Sequence, residues 1–261
     1  VELRGRQEKL KGEGMLHIFA DPSAMQGDLL TVTGPEVNHI RSVLRMKPGE
    51  EISVSSGADT KEYRYGIEEI REDRVLCRLR FVKEADVELP VRVCLFQGLP
   101  KADKMEWIVQ KTVELGVNEI VPLRCERSVV RLDAERSEKK TARWQTIAEA
   151  AAQQSRRQIV PQVKNPMSVK EALAYAGSFD VRIIPYELAS NARGTKEIFR
   201  GLRPGASLAV FIGPEGGFEA SEIEEAKAAG VEPVTLGRRI LRTESAAMVV
   251  LSWLIYETEI V

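Results

Sequence analysis

Near Pro90 the pattern of this 261-residue chain changes from short strands to a repeated alternation of strand and helix. Before that point, apolar runs at 16–20, 29–32, 51–55, 63–70 and 75–82 are punctuated by Gly and Asp, with one helical segment at 35–46. Short, turn-bounded strands of this kind predict a small β-barrel. After it, apolar runs at 91–97, 120–125, 159–163, 181–186, 208–212 and 234–236 alternate with helical segments at 101–115, 135–155 and 169–175 and from Glu219 and Thr243. In the first of these helices Met105, Ile108, Val109, Thr112 and Leu115 recur at helical spacing. Alternation of this kind predicts an α/β unit with a mostly parallel sheet covered on both faces. Lys83–Pro90 reads as a linker, so the chain divides into residues 15–87 and 88–261. Residues 1–14 are polar and charged, lack the apolar core of a signal peptide, and are expected to be an extension outside the fold.

Two signatures in the second region carry chemistry. Phe211-Ile212-Gly213-Pro214-Glu215-Gly216-Gly217-Phe218 follows one apolar run, and Leu236-Gly237-Arg238-Arg239-Ile240-Leu241-Arg242-Thr243-Glu244-Ser245-Ala246 follows another. Each reads as a buried strand opening into an amphipathic helix, which puts two turns side by side at the ends of neighbouring parallel strands. Ligands of open α/β sheets bind there. Pro214 pushes Gly213 towards extended backbone, and Gly216 and Gly217 allow positive φ, so a ligand can press on bare main chain. No Gly-Lys-Ser/Thr follows the loop and no G-x-G-x-x-G follows a strand. A purine nucleoside without phosphates suits such a loop better than a nucleotide.

These two signatures resemble the C-terminal motifs of the RsmE family of ribosomal RNA methyltransferases, of the SPOUT class. Gly98-Leu99-Pro100-Lys101-Ala102-Asp103-Lys104-Met105-Glu106-Trp107, Glu114-Leu115-Gly116-Val117 and Glu126-Arg127-Ser128-Val129 agree with the same family, in order, from about Met15 to the end. The resemblance implies methyl transfer from S-adenosylmethionine to N3 of a uridine in 16S rRNA, within the small ribosomal subunit, by a cytoplasmic homodimer. It also implies a PUA-like β-barrel RNA-binding domain ahead of a SPOUT domain with a C-terminal trefoil knot. In that knot Tyr186, Ile212, Gly213, Pro214, Glu215, Gly216, Gly217, Leu236, Gly237, Ile240, Leu241 and Arg242 converge on the cofactor. A SPOUT enzyme acting on another RNA such as tRNA, and a non-catalytic RNA-binding or ribosome-assembly protein, are the competing readings. Intact glycines at 213, 216, 217 and 237 weigh against the second.

Transfer from a sulfonium donor is an in-line displacement, so much of the catalysis is alignment, and no metal or covalent residue is required. The other task is to remove the N3 proton or stabilise the resulting anion. Arg242 is expected to stabilise charge, and Glu244 to act as base. Thr243 as a helix N-cap with Glu244 in the first turn is an equally complete structural account of those two residues. Glu219 stands where the family often has Ser or Thr, which is expected to cost one half of a capping box with Glu222. Arg156 stands where the family's Gln-Ser-Gly-Arg block has Gly.

A formal net charge of −1 does not advertise a nucleic-acid binder. Local counts are more telling, with 10 Lys/Arg against 14 Asp/Glu in residues 15–88 but 9 against 5 in residues 123–157. Arg124, Arg127, Arg156 and Arg157 are therefore the expected phosphate contacts, joined by Arg41 and Arg45 of the His39–Arg45 block. For Lys139 and Lys140, simple i to i+4 pairing is as good an account. Cys77, Cys94 and Cys125 suit reduced core thiols, and His17 and His39 are too few for a metal site. No apolar stretch approaches the ~20 residues that span a bilayer. The crowded apolar surface of Val249, Val250, Trp253, Leu254 and Tyr256 on the last helix is expected to support the dimer.

Overall fold

The computed structural model describes residues 15–57, 59–187, 189 and 192–260. The expected extension at residues 1–14 lies outside the described residues. The described residues form two compact units, one of residues 15–88 with 153–160, the other of residues 89–152 with 161–260.

The first unit is built on strands β1 (His17–Phe19), β2 (Met25–Gln26), β3 (Leu29–Thr33), β4 (Glu51–Ser55), β5 (Lys61–Ile70) and β6 (Arg74–Glu84). They hydrogen-bond in the order β1-β4-β5-β6-β3-β2. The β1–β4 pair is parallel and the others are antiparallel. Ile18, Leu30, Val32, Ile52, Val54, Tyr65, Ile67 and Val75 make its core, closed by Val37 and Ile40. Alternation along each strand puts these side chains on one face. The single helix expected over 35–46 is instead a short α1 (Pro35–Asn38) that widens into a π-turn over His39–Val43. The wider turn places Ile40 in the core while leaving Arg41 to Arg45 exposed.

Segment 153–160 belongs to this unit through a dense polar contact set. Gln153 Nε2 donates to the His17 carbonyl (3.1 Å), Ser55 donates to the Gln158 side chain, and Gly57 bridges Ile159. Arg157, only 2% exposed, donates through Nε to Glu88 Oε2 at 3.1 Å. The same carboxylate accepts from the amides of Gln158 (3.0 Å) and Ile159 (3.2 Å).

The second unit contains β7 (Arg92–Gly98), α2 (Lys104–Glu114), β8 (Glu119–Arg124), α3 (Ala134–Gln154), β9 (Gln162–Val163), β10 (Met167–Ser168), α4 (Val169–Ala176), β11 (Val181–Pro185), α5 (Ala192–Gly201), β12 (Ser207–Ile212), α6 (Ala220–Ala228), β13 (Glu232–Val234) and α7 (Thr243–Ile255). Its sheet runs β10-β8-β7-β12-β11-β13, with β9 also on β8, and every pair is parallel. Central strands β7 and β12 are buried on both faces, as covered parallel strands must be. Phe96 and Phe211, adjacent across them, stack at 4.4 Å between centroids.

Three expectations need correction here. The strand expected over 234–236 ends at Val234, because Thr235 to Leu241 leave the sheet. The strand expected over 159–163 shrinks to two residues, since Gln158 and Ile159 are already bonded to Glu88. Helix α7 is apolar beyond a single stripe: Ala246, Ala247, Val250, Leu251 and Leu254 form one face buried within this chain, Met248 and Val249 off that face are half-buried, and Trp253 meets Phe199 edge-on at 5.7 Å. Val250 and Leu254 are thus core residues. Tyr256 and Ile260 beyond them are exposed.

Candidate active site

Gly213 to Phe218 leave the end of β12 in a tight loop, closed by the Gly217 amide donating to the Pro214 carbonyl at 2.9 Å. A Cβ on Gly213 would lie 3.1 Å from the Gly217 Cα, so the loop folds back onto its own backbone. One on Gly98, at the end of β7, would collide with Pro214. At Gly217 the situation is reversed: φ is +69° and nothing lies within 4 Å of where a Cβ would stand. Gly237 is alike, at φ +108° and equally open. These two glycines therefore present bare backbone to open space. A flat, uncharged nucleoside can use such a cradle, and the residues present fit S-adenosylmethionine.

The two turns do not follow neighbouring strands as expected. Strand β11 separates β12 from β13, and its end contributes Tyr186, whose amide donates to the Val234 carbonyl at 3.0 Å. Three consecutive strand ends thus carry Tyr186, the Gly213–Gly217 loop and the segment holding Leu236, Gly237, Ile240 and Leu241. Leu236 and Leu241 are half-buried, whereas Ile240 is 85% exposed.

Beneath the loop a relay of side chains fixes α7. Gln97, fully buried at the end of β7, donates through Nε2 to Thr243 Oγ1 at 2.8 Å. Thr243 Oγ1 donates in turn to the Gly213 carbonyl at 2.6 Å. Gln97 Oε1 is buried without a hydrogen-bond partner. The N-cap of α7 is Arg242 and not Thr243; the Arg242 carbonyl accepts from Ser245 (2.9 Å) and Ala246 (3.0 Å), while the Thr243 hydroxyl is committed to Gly213. The Arg242 side chain is exposed.

Two cations brace the glycine loop, one on Glu215 and one on Glu219 and Gly216. Lys104 Nζ donates to Glu215 Oε1 at 2.9 Å and lies 3.6 Å from Glu244 Oε2. The Lys101 amide donates to the same Glu215 oxygen at 3.1 Å. Burial pushes the Glu215 carboxyl up, but the Lys104 hydrogen bond and the backbone amides outweigh it and hold it below the usual carboxylate range. The Glu215 hydrogen bond holds the Lys104 ammonium above its usual range. On the other side Arg127 binds Glu219 through Nε (2.7 Å) and Nη2 (3.0 Å), and donates from Nη1 to the Gly216 carbonyl at 3.1 Å. At the start of α6, Glu222 Oε2 accepts from the Glu219 amide at 2.7 Å, while the Glu219 carboxylate, standing where a hydroxyl was expected, is engaged by Arg127.

The arginines expected to meet phosphate are in different situations. Arg41, Arg45 and Arg156 are exposed. Arg124 is exposed beside Glu171 at 3.3 Å. Arg127 is engaged by the glycine loop. Arg157 is corrected to a structural residue, since burial against Glu88 removes it from solvent. Gln97 and Lys104 were not anticipated as site residues. The signal available was a polar residue closing an otherwise apolar strand and a lysine in the Gly98–Trp107 block.

A family model for an RNA methyltransferase domain matches residues 87–255, and one for an RNA methyltransferase PUA domain matches residues 32–80. The ribosomal RNA small subunit methyltransferase E of Bacillus subtilis is 38% identical over 233 residues, covering 88% of this chain and 91% of that protein. The chain belongs to the ribosomal RNA small subunit methyltransferase E family. The Aquifex aeolicus protein of the same name is 29% identical and is covered over 98% of its length, with 91% of this chain aligned. Among solved structures, the Neisseria gonorrhoeae ribosomal RNA small subunit methyltransferase E bound to S-adenosyl methionine superposes with a TM-score of 0.81 at 30% identity. That match covers 92% of this chain and 97% of the other. Membership of the family agrees with the two-unit architecture of a mixed sheet followed by a parallel α/β sheet.

Proposed function

We propose that this protein methylates N3 of a uridine in the 16S rRNA of the small ribosomal subunit, using S-adenosylmethionine. The observation that carries the reading is the pair of open, positive-φ glycines, Gly217 and Gly237, after strands β12 and β13, which flank β11, in a chain of this family. S-adenosylmethionine supplies an activated methyl group. Tyr186, Ile212 to Gly217, Leu236, Gly237, Ile240, Leu241 and Arg242 are proposed to form its site, held in shape by Gln97, Thr243, Lys104 and Arg127.

The remaining task falls to the start of α7. Glu244, whose Oε2 is buried and among the described residues has only Lys104 within ion-pair range, is proposed to take the N3 proton. Arg242, exposed at the helix N-cap, is proposed to hold the charge that spreads over the uracil carbonyl oxygens. RNA is held by Arg41, Arg45, Arg124 and Arg156, with residues 15–87 as a PUA-like β-barrel RNA-binding domain and residues 88–261 as the SPOUT domain. The reading further includes a trefoil knot at the C-terminus, a cytoplasmic enzyme and a homodimer that uses Tyr256 and Ile260. Light scattering that returns a 29.1 kDa monomer at micromolar concentration would remove the dimer.

The deciding experiment incubates purified small subunits from a strain lacking the enzyme with labelled S-adenosylmethionine and digests the RNA to nucleosides. Label is expected in 3-methyluridine. Label found only in tRNA, in 5-methyluridine or in ribose-methylated nucleosides would overturn the substrate, and no transfer at all would favour a non-catalytic RNA-binding protein.

A further inference from the structure

We propose that Arg127 is a positioning residue for the glycine loop, acting through its fork to Glu219 and Gly216, and not a phosphate contact. The inference rests on the reading that this loop holds S-adenosylmethionine. Arg127 lies just past β8. One buried carboxylate, Glu222, already ties the two segments together, since it accepts from the amides of Glu126 (2.9 Å) and Glu219 (2.7 Å). Arg127 adds a second tie with each of its three nitrogens engaged: two on Glu219 and the third on the Gly216 carbonyl. Its backbone fits the loop closely, for a Cβ on Gly216 would stand 3.1 Å from the Arg127 Cβ.

The peptide fixed in this way is the one joining Gly216 to Gly217, the residue that presents the open cradle. Two adjacent glycines have more conformational freedom to lose than any other pair. A bond that orients the peptide between them removes that freedom before the ligand arrives, which is how pre-organisation raises affinity. An exposed Arg–Glu pair contributes little to global stability, so the effect of Arg127 is expected in the loop and its ligand. A planar fork can hold Glu219 and the carbonyl together, and an ammonium cannot reproduce that geometry.

The test measures S-adenosylmethionine affinity by calorimetry for the full chain and for Arg127→Ala, Arg127→Lys, Glu219→Gln and the Arg127→Ala/Glu219→Gln pair. Amide hydrogen exchange over residues 213–219 is followed in parallel without cofactor, and kcat is taken at saturating cofactor. Arg127→Ala is expected to weaken binding about tenfold, to accelerate exchange at 216–219 and to lower kcat at saturating cofactor by less than it lowers affinity. Arg127→Lys should rescue only part of the loss, and the pair should lose little more than Arg127→Ala alone. Unchanged cofactor affinity and exchange in folded Arg127→Ala or Arg127→Lys, with weakened rRNA binding, would overturn the proposal and return Arg127 to the phosphates. If the unaltered protein binds no S-adenosylmethionine, the cofactor reading itself fails; the exchange comparison then decides the clamp alone, and equal protection in wild type and Arg127→Ala rejects it.

Discussion

Arg156 sits in the left-handed region at φ +59°, where an L side chain costs roughly 1–2 kcal/mol relative to ordinary helical backbone. It follows the end of α3, and its amide donates to the Gln153 carbonyl at 3.2 Å, the type of helix exit that glycine usually occupies. The strain gives the residue a measurable consequence. Arg156→Gly is expected to stabilise the protein by about 1 kcal/mol, read as a higher urea midpoint at unchanged slope, while rRNA affinity falls if the exposed guanidinium contacts phosphate. A variant no more stable than the parent would show that Arg156 relaxes its strain through contacts of its own. The neighbouring residue marks where the sequence stops being informative. Arg156 and Arg157 look equivalent in a basic run, yet one is exposed and the other buried on Glu88. No local pattern separates them, because the acid that claims Arg157 is 69 residues away.

Among the elements, the glycine loop was legible because its chemistry is local: Gly and Pro at fixed spacing after an apolar run demand a turn whatever the rest of the chain does. The strand order was not, since placing β11 between β12 and β13 depends on pairings between segments far apart in sequence. Helix α5 is not legible for a different reason: Gly194 and Gly201 lower the intrinsic helix propensity of a short, polar segment. The loop itself makes two predictions. Gly217→Val forces a β-branched side chain into positive φ and fills the open cradle, so S-adenosylmethionine affinity in calorimetry should fall at least tenfold; equal affinity in a folded variant would exclude this surface as the site. Acid should also loosen the loop. Glu215 is held below its ordinary range, so its tie to Lys104 is complete above the usual carboxylate range and is lost as pH falls through the lowered value. Cofactor affinity should therefore decline below about pH 4 in the parent and much less in Glu215→Gln, which has no carboxylate left to titrate.

On the scale of the whole molecule, the chain does not divide at one linker. Residues 153–160, the last two residues of α3 and the segment after it, join the first unit, where Glu88 receives Arg157 and the amides of Gln158 and Ile159. A change of rhythm near Pro90 locates the end of the first sheet, but periodicity holds no record of a segment that returns to it. The return has an energetic signature that separates it from an ordinary ion pair. Removing one partner of a buried pair costs about 3–5 kcal/mol, whereas replacing both by apolar groups is often neutral. Here the second half of that rule should fail, because the carboxylate also satisfies two backbone donors, each costing about 1–3 kcal/mol when left buried and unpaired. Glu88→Ala is therefore expected to destabilise the protein by about 3–5 kcal/mol, and Glu88→Met/Arg157→Met to recover only part of it. Glu88→Gln, which keeps an oxygen for the amides, should be the mildest change at position 88. Urea denaturation of the three variants, with amide exchange followed at residues 157–160, reads both effects together. Full recovery in the double methionine variant would reduce Glu88 to an ion-pair partner and deny it the role of anchoring the returning segment.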